Sequence, residues 1–355
     1  MIIPKKLRKG SRVAIVSLSS GILGESFCRT QLDLGIRRMK EMGLIPVLMP
    51  NTLKGTEYLS QHPEARAADL KAAFADDEID GILTAIGGDD TFRLAPFLLE
   101  DDTFADNVRQ HPKIFMGYSD TTVDHLMLYK LGLQTYYGPA FLTCFAEYAP
   151  EMLPYTRAAI ESLFEGNEMT EITSSPVWYE DRTDFSPRQA GTPRKEHREE
   201  HGFELLQGKE GFSGELLGGC IESLSDLLTG ERYPEELDIQ KKYRIFPDVA
   251  AWRGKILFIE TSEEKMSPEK YRQALKTLRD YGVFEVINGI IAGKPMDEQY
   301  YEEYKQMILD VTADTDLPVL YNLNFGHAFP KTVLPYGARV VCYHDKVVIT
   351  PSTAL

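Results

Sequence analysis

Three residues in this sequence stand where an apolar run ends, and their side chains do nucleophilic or acid–base chemistry: Ser119, Glu260 and His327. Ser119 follows Ile114-Phe-Met116 and Gly117. Beyond it, from Thr121 to Lys130, the residues Val123, Leu126, Met127 and Lys130 fall at helical spacing. A serine on a sharp strand-to-helix turn has its hydroxyl lifted clear of the sheet, and the amide of the next residue, Asp120, can face a developing oxyanion. The same pattern also suits a plain helix cap, because Ser and Asp are favoured there. Glu260 closes Lys255-Ile-Leu-Phe-Ile-Glu260. A carboxylate after four apolar strand residues is costly to bury without a partner, and a solvent-facing strand end is the other reading.

His327 ends Leu317-Pro-Val-Leu-Tyr-Asn-Leu-Asn-Phe-Gly-His327, and it is the histidine best placed to act as a base. His125 lies six residues past Ser119 and well round the helix from it. His111 precedes the strand at its far end. His197 and His201 fall in a polar stretch, and His344 sits in a Tyr-His-Asp-Lys run that reads as a hairpin turn.

The elements that must position these groups alternate over the first ~145 residues, as parallel strands joined by helical crossovers do. Strands are expected at Arg12–Ser17, Ile45–Met49, Gly81–Ile86 and Lys113–Gly117. Helices are expected near Glu25–Met42, Pro63–Ala75, Thr91–Leu99 and Thr121–Lys130. In such sheets ligands bind at the carboxyl ends of strands, where Gly87-Gly88 and Ser119 both fall. The segment from about 180 to 212 is polar, mixed in charge and free of apolar periodicity, and reads as a loop excursion with a mobile tip. Later, Ser267 caps a helix with Pro268 at its first position. Its inward stripe is Tyr271, Ala274, Leu275 and Leu278, and Gly282 stops it.

Composition narrows the field. The chain has 355 residues, 43% hydrophobic and 26% charged, which suits a soluble protein of about two domains. Its net charge of −15 argues against a nucleic-acid surface. No apolar run approaches a membrane span. The N-terminus leads into a strand rather than a signal peptide. Cys28, Cys144, Cys220 and Cys342 are widely spaced, as in a reduced, cytoplasmic protein. No HExxH or paired Cys-x-x-Cys points to a metal. Gly87-Gly88 lacks the third glycine of a dinucleotide fingerprint. Thr121 stands where the Gly-x-Ser-x-Gly of α/β-hydrolases needs glycine.

The motifs together resemble the LD-carboxypeptidase family of serine peptidases, which includes muramoyl-tetrapeptide carboxypeptidases and the microcin C immunity peptidases. Pro112-Lys-Ile-Phe-Met-Gly-Tyr-Ser-Asp-Thr-Thr122, continuing to Leu133-Gln-Thr-Tyr-Tyr-Gly-Pro139, is similar to the nucleophile region. Ile86-Gly-Gly-Asp-Asp90 and Leu217-Gly-Gly219 resemble the two double-glycine turns, and Ile256-Leu-Phe-Ile-Glu260 the glutamate strand. Gly289-Ile-Ile-Ala-Gly-Lys294 and Asn324-Phe-Gly-His327 complete the set in order. The resemblance implies a triad of Ser119, Glu260 and His327, with the amides of Gly88 and Asp120 as oxyanion donors and no metal or organic cofactor.

It also implies a doubly wound, flavodoxin-like α/β domain over 1–150 carrying the nucleophile. A linker and substrate-loop excursion follows over 151–212, and then a smaller β-rich domain over 213–355 carrying the acid–base pair. A homodimer is implied too. The acidic, tryptophan-bearing run Val177-Trp-Tyr-Glu-Asp181 is similar to a loop of the immunity branch that stacks on a nucleobase. It makes Trp178, Glu180 and Asp181 candidate substrate contacts, although Trp178 packing in the core is the competing reading. The favoured substrate is therefore an aminoacyl- or peptidyl-nucleotide, as in detoxification and self-immunity. The alternatives are removal of the terminal D-Ala of murein tetrapeptides and a non-catalytic small-ligand binding protein.

Overall fold

A computed structural model describes residues 1–350. Five strands of the first sheet run parallel, in the spatial order Ile45–Leu48, Arg12–Val16, Ile79–Thr84, Ile114–Gly117, Tyr136–Tyr137. Apart from the edge strand Ile45–Leu48, whose Ile45 and Leu48 are exposed, their apolar runs are buried, as a sheet covered by helices on each side requires. The sixth strand is Leu334–Pro335, from the far end of the chain, and it pairs antiparallel with Tyr136–Tyr137.

The second sheet has eight strands. Its centre is parallel: Phe212–Cys220, Lys255–Glu260, Gly289–Gly293 and Val319–Leu323 lie side by side. Antiparallel strands flank it, with Arg339–Cys342, Lys346–Ile349 and Glu171–Thr173 on one side and Glu204–Gln207 on the other. His344 occupies the turn between two of these strands.

Several local expectations hold. Pro63–Ala75 and Thr121–Lys130 are helices, and Lys255–Glu260 is a strand. Ser267 accepts a hydrogen bond from the Lys270 amide and caps Pro268–Asp280, which buries Tyr271, Ala274, Leu275 and Leu278. The helix expected over Glu25–Met42 begins only at Arg29, after two short 3-10 turns. All four cysteines are buried and free.

The polar segment around 180–212 is more ordered than its composition suggests. Val177–Tyr179 and Glu196–Arg198 form a small antiparallel ribbon. It is tied to the His327 loop by the Tyr179 amide donating to the Phe329 carbonyl, 2.9 Å. Ion pairs hold the rest. Glu147 is buried and accepts from Arg182 Nε and Arg194 Nε, both at 2.8 Å. The Arg194 guanidinium also lies 3.6 Å from the Phe329 ring centre. Charges spread through a sequence conceal this kind of order, because long-range pairing leaves no local periodicity.

Candidate active site

The carboxyl ends of the two parallel sheets face each other across a cavity of about 480 Å³, lined by residues that include Gly87, Gly88, Tyr118, Ser119, Glu263 and His327. Ser119 has φ of +67°, a left-handed conformation that costs a non-glycine residue about 1–3 kcal/mol. No described residue hydrogen-bonds its hydroxyl, and the helix Thr121–Lys130 has no side-chain cap. Capping therefore does not account for the strained serine. Gly87 permits the arrangement: a Cβ there would stand 2.6 Å from Ser119 Cβ and 2.8 Å from its hydroxyl.

Glu260 is the last residue of its strand and is almost fully buried. It has the partners that burial demands. Oε2 lies 2.7 Å from His327 Nδ1 and accepts from the His327 amide at 3.1 Å, while Oε1 accepts from the Tyr137 hydroxyl at 2.5 Å. The Tyr137 hydroxyl in turn accepts from the Ser119 amide at 3.2 Å. Gly326 makes the turn possible: its φ is +79°, and a Cβ there would fall 2.3 Å from the Glu260 carboxyl carbon. These contacts fix the imidazole with Nδ1 toward Glu260 and Nε2 toward the cavity.

There Nε2 meets Glu263 Oε2 at 2.9 Å. Burial disfavours the charged ring, but the Glu260 and Glu263 carboxylates outweigh it and raise the His327 pKa to about 10. The same hydrogen bond to His327 lowers Glu263 to about 2. Lys331 supports the loop from within, its ammonium 3.4 Å from the His327 carbonyl; burial lowers its pKa to about 8.

The amides of Gly88 and Asp120 have no acceptor among the described residues, and both residues border the space above Ser119. The Asp120 carboxylate is turned away and takes hydrogen bonds from Ser19 Oγ at 2.7 Å and from Thr91 N at 2.9 Å. Cys220, Glu260 and His327 offer ligating atoms within 4.8 Å of one another. Hydrogen bonds to Glu222, Tyr137 and Glu263 already engage those atoms.

The three expected loop residues are divided. Asp181 lines the cavity, and its carboxylate accepts from Arg194 at 3.0 Å. Glu180 pairs with Lys195 at 2.6 Å and His197 at 2.8 Å and does not line the cavity. Trp178 is 8% exposed. His197 stacks on it at 4.1 Å and 12°, and the Lys294 ammonium stands 5.4 Å from its ring centre. Phe185, by contrast, borders the cavity and is 48% exposed.

Residues 13–138 match the LD-carboxypeptidase N-terminal domain and residues 213–341 the LD-carboxypeptidase C-terminal domain. The chain belongs to the LD-carboxypeptidase family. It is therefore a peptidase of that family, with the two-domain α/β fold the family shares. An MccF-like protein from Streptococcus pneumoniae, solved in complex with AMP, is 48% identical with a TM-score of 0.93, over 96% of this chain and 99% of that one. The probable murein peptide carboxypeptidase of Bacillus subtilis is 29% identical over 95% of this chain and 90% of its own length. The microcin C7 self-immunity protein MccF of Escherichia coli is 27% identical over 88% of this chain and 85% of its own length. No helix among the described residues is long and apolar enough to cross a membrane.

Proposed function

We propose that this LD-carboxypeptidase family member is a serine hydrolase that cleaves the amide of an aminoacyl- or peptidyl-nucleotide through Ser119, His327 and Glu260. One observation carries the reading: a strained serine with an unengaged hydroxyl shares a cavity with a histidine whose Nδ1 is held by a buried carboxylate. His327 Nε2 takes the Ser119 proton as Oγ attacks the carbonyl carbon, and Glu260 stabilises the imidazolium. The amides of Gly88 and Asp120 receive the oxyanion, each worth about 3 kcal/mol. The imidazolium then protonates the leaving nitrogen, and water hydrolyses the acyl-enzyme. No cofactor enters these steps.

The nucleotide half of the reading is supported by the S. pneumoniae relative bound to AMP and by the cavity's own lining. Phe27 and Phe185 line it with exposed apolar faces. The B. subtilis relative favours a second reading, release of the terminal D-Ala from a murein tetrapeptide. Incubating the protein with an aminoacyl sulfamoyl-adenosine and with a murein tetrapeptide, followed by mass spectrometry, separates the two. Nucleoside sulfamate released from the first and an intact tetrapeptide are expected, and the reverse would install the murein reading. Family resemblance also leads us to propose a homodimer, which light scattering at micromolar concentration tests.

A further inference from the structure

A second cavity of about 290 Å³ adjoins the first and shares Ser20, Gly88, Ser119 and Glu263 with it. The two meet at the serine, so an amide lying across Ser119 directs one substituent into each. The smaller cavity differs in chemistry. Asp89, Glu222, Asp226, Glu236 and Glu264 contribute to its wall, and Arg232 is its one cation among the described residues.

That cation is already committed. Arg232 faces Asp89 at 3.5 Å, Asp226 at 3.9 Å and Glu264 at 3.1 Å. Glu222 accepts from the Ser262 amide at 2.9 Å and its hydroxyl at 2.7 Å. Glu236 is different. It is only 3% exposed, yet no described residue donates a hydrogen bond to its carboxylate or forms an ion pair with it. Burial raises its pKa to about 9, and nearby Asp120 and Asp226 add to the effect. Asp226 is raised to about 6, again chiefly by burial. Buried carboxylates are ordinarily paired. Glu236 lacks such a partner, and the space beside it reaches Ser119.

We infer that this cavity is the subsite for the acyl side of the substrate, and that it selects an acyl residue whose side chain ends in a cationic amine. The inference rests on the hydrolase reading and deepens it by naming what the acyl pocket takes. Low-dielectric walls carrying one sign of charge concentrate the opposite sign. An ammonium in this cavity supplies the partner that Glu236 lacks, adds to the single cation facing Asp226, and favours the ionised form of both carboxylates. An acidic side chain adds like charge to a wall already crowded with it and is rejected.

The test uses Ser119→Ala protein, which binds without turning over, and isothermal titration calorimetry with two matched pairs. One pair is lysyl and glutamyl sulfamoyl-adenosine; the other is the dipeptides lysyl-D-alanine and glutamyl-D-alanine. The lysyl member is expected to bind at least about 10-fold tighter than its glutamyl counterpart. Adding Glu236→Gln or Asp226→Asn is expected to reduce that ratio to under about 3-fold while thermal unfolding stays cooperative. Equal or reversed affinities overturn the inference, as does failure of all four ligands to bind or a preference that survives both substitutions. A lysyl preference confined to the D-alanine pair supports the subsite and overturns the nucleotide reading, so the two failures are distinguishable.

Discussion

Glu263 Oε2 lies 2.9 Å from His327 Nε2, the nitrogen proposed to accept the serine proton. The Glu263 side chain is 62% exposed, and it stands on the turn just beyond the Glu260 strand. In the unliganded site its carboxylate favours the imidazolium form of His327, so Nε2 can take a proton only once Glu263 moves away from it. Losing the Glu263 charge lowers the His327 pKa and frees Nε2. Glu263→Gln is expected to move the acid limb of the kcat/KM profile to lower pH and to raise the rate near pH 7. A limb that stays put would leave Glu263 without influence on the base.

The same pair has a stability signature. The His327 pKa is raised on folding, from an ordinary value near 6.5 to about 10. Its contribution is therefore complete below about pH 6.5 and is lost as pH rises toward 10. Wild-type protein should lose melting temperature across that window more steeply than His327→Gln. Parallel curves would contradict the assignment.

Ser119→Ala is expected to abolish hydrolysis with little change in fold. Ser119→Gly should do the same and also raise stability by about 1 kcal/mol, because glycine accepts a φ of +67° without strain. Chemical denaturation of the three proteins decides this. A less stable glycine variant would show that the serine conformation is not the source of strain.

Tyr137→Phe removes a donor to Glu260 and an acceptor for the Ser119 amide. A hydrogen bond to a charged group is worth about 1.5–3 kcal/mol, so kcat should fall about 10- to 150-fold with KM nearly unchanged. A change in KM alone would place Tyr137 in binding and not in positioning the triad.

Phe185→Ala should lower kcat/KM for an aminoacyl-nucleotide about 5- to 150-fold, the loss of a stacking energy of about 1–3 kcal/mol. Trp178→Ala should instead lower the melting temperature, because His197 covers one of its faces and the ring is buried. If Trp178→Ala proved the nucleotide-specific variant, the ribbon would have to open on binding.

Much of this was legible in the sequence. The apolar strands that run up to Ser119 and to Glu260 were readable from their composition, while the sequence left open whether Ser119 caps a helix and whether Glu260 faces solvent. Phe185 and Trp178 show where such legibility stops. Both are aromatics in a polar segment, and only tertiary pairing decides which has an open face. Glu263 was hidden among the neighbouring acids of Glu260-Thr-Ser-Glu-Glu264. Tyr137 was masked by an ordinary apolar strand pattern, and its hydroxyl matters only because another segment brings Glu260 to it.

The strand Leu334–Pro335 completes the sheet that the first 137 residues begin. A ribosome has therefore released every residue through Pro335 before the edge at Tyr136–Tyr137 finds its partner. His327 lies seven residues ahead of that strand, so it reaches the cavity that holds Ser119 at about the time the sheet closes. Until then the nascent N-terminal half carries an open edge, the usual template for association between unfinished chains. A chain cut before Leu334 would retain Ser119 and His327 while leaving the Tyr136–Tyr137 edge of the first sheet without its partner strand.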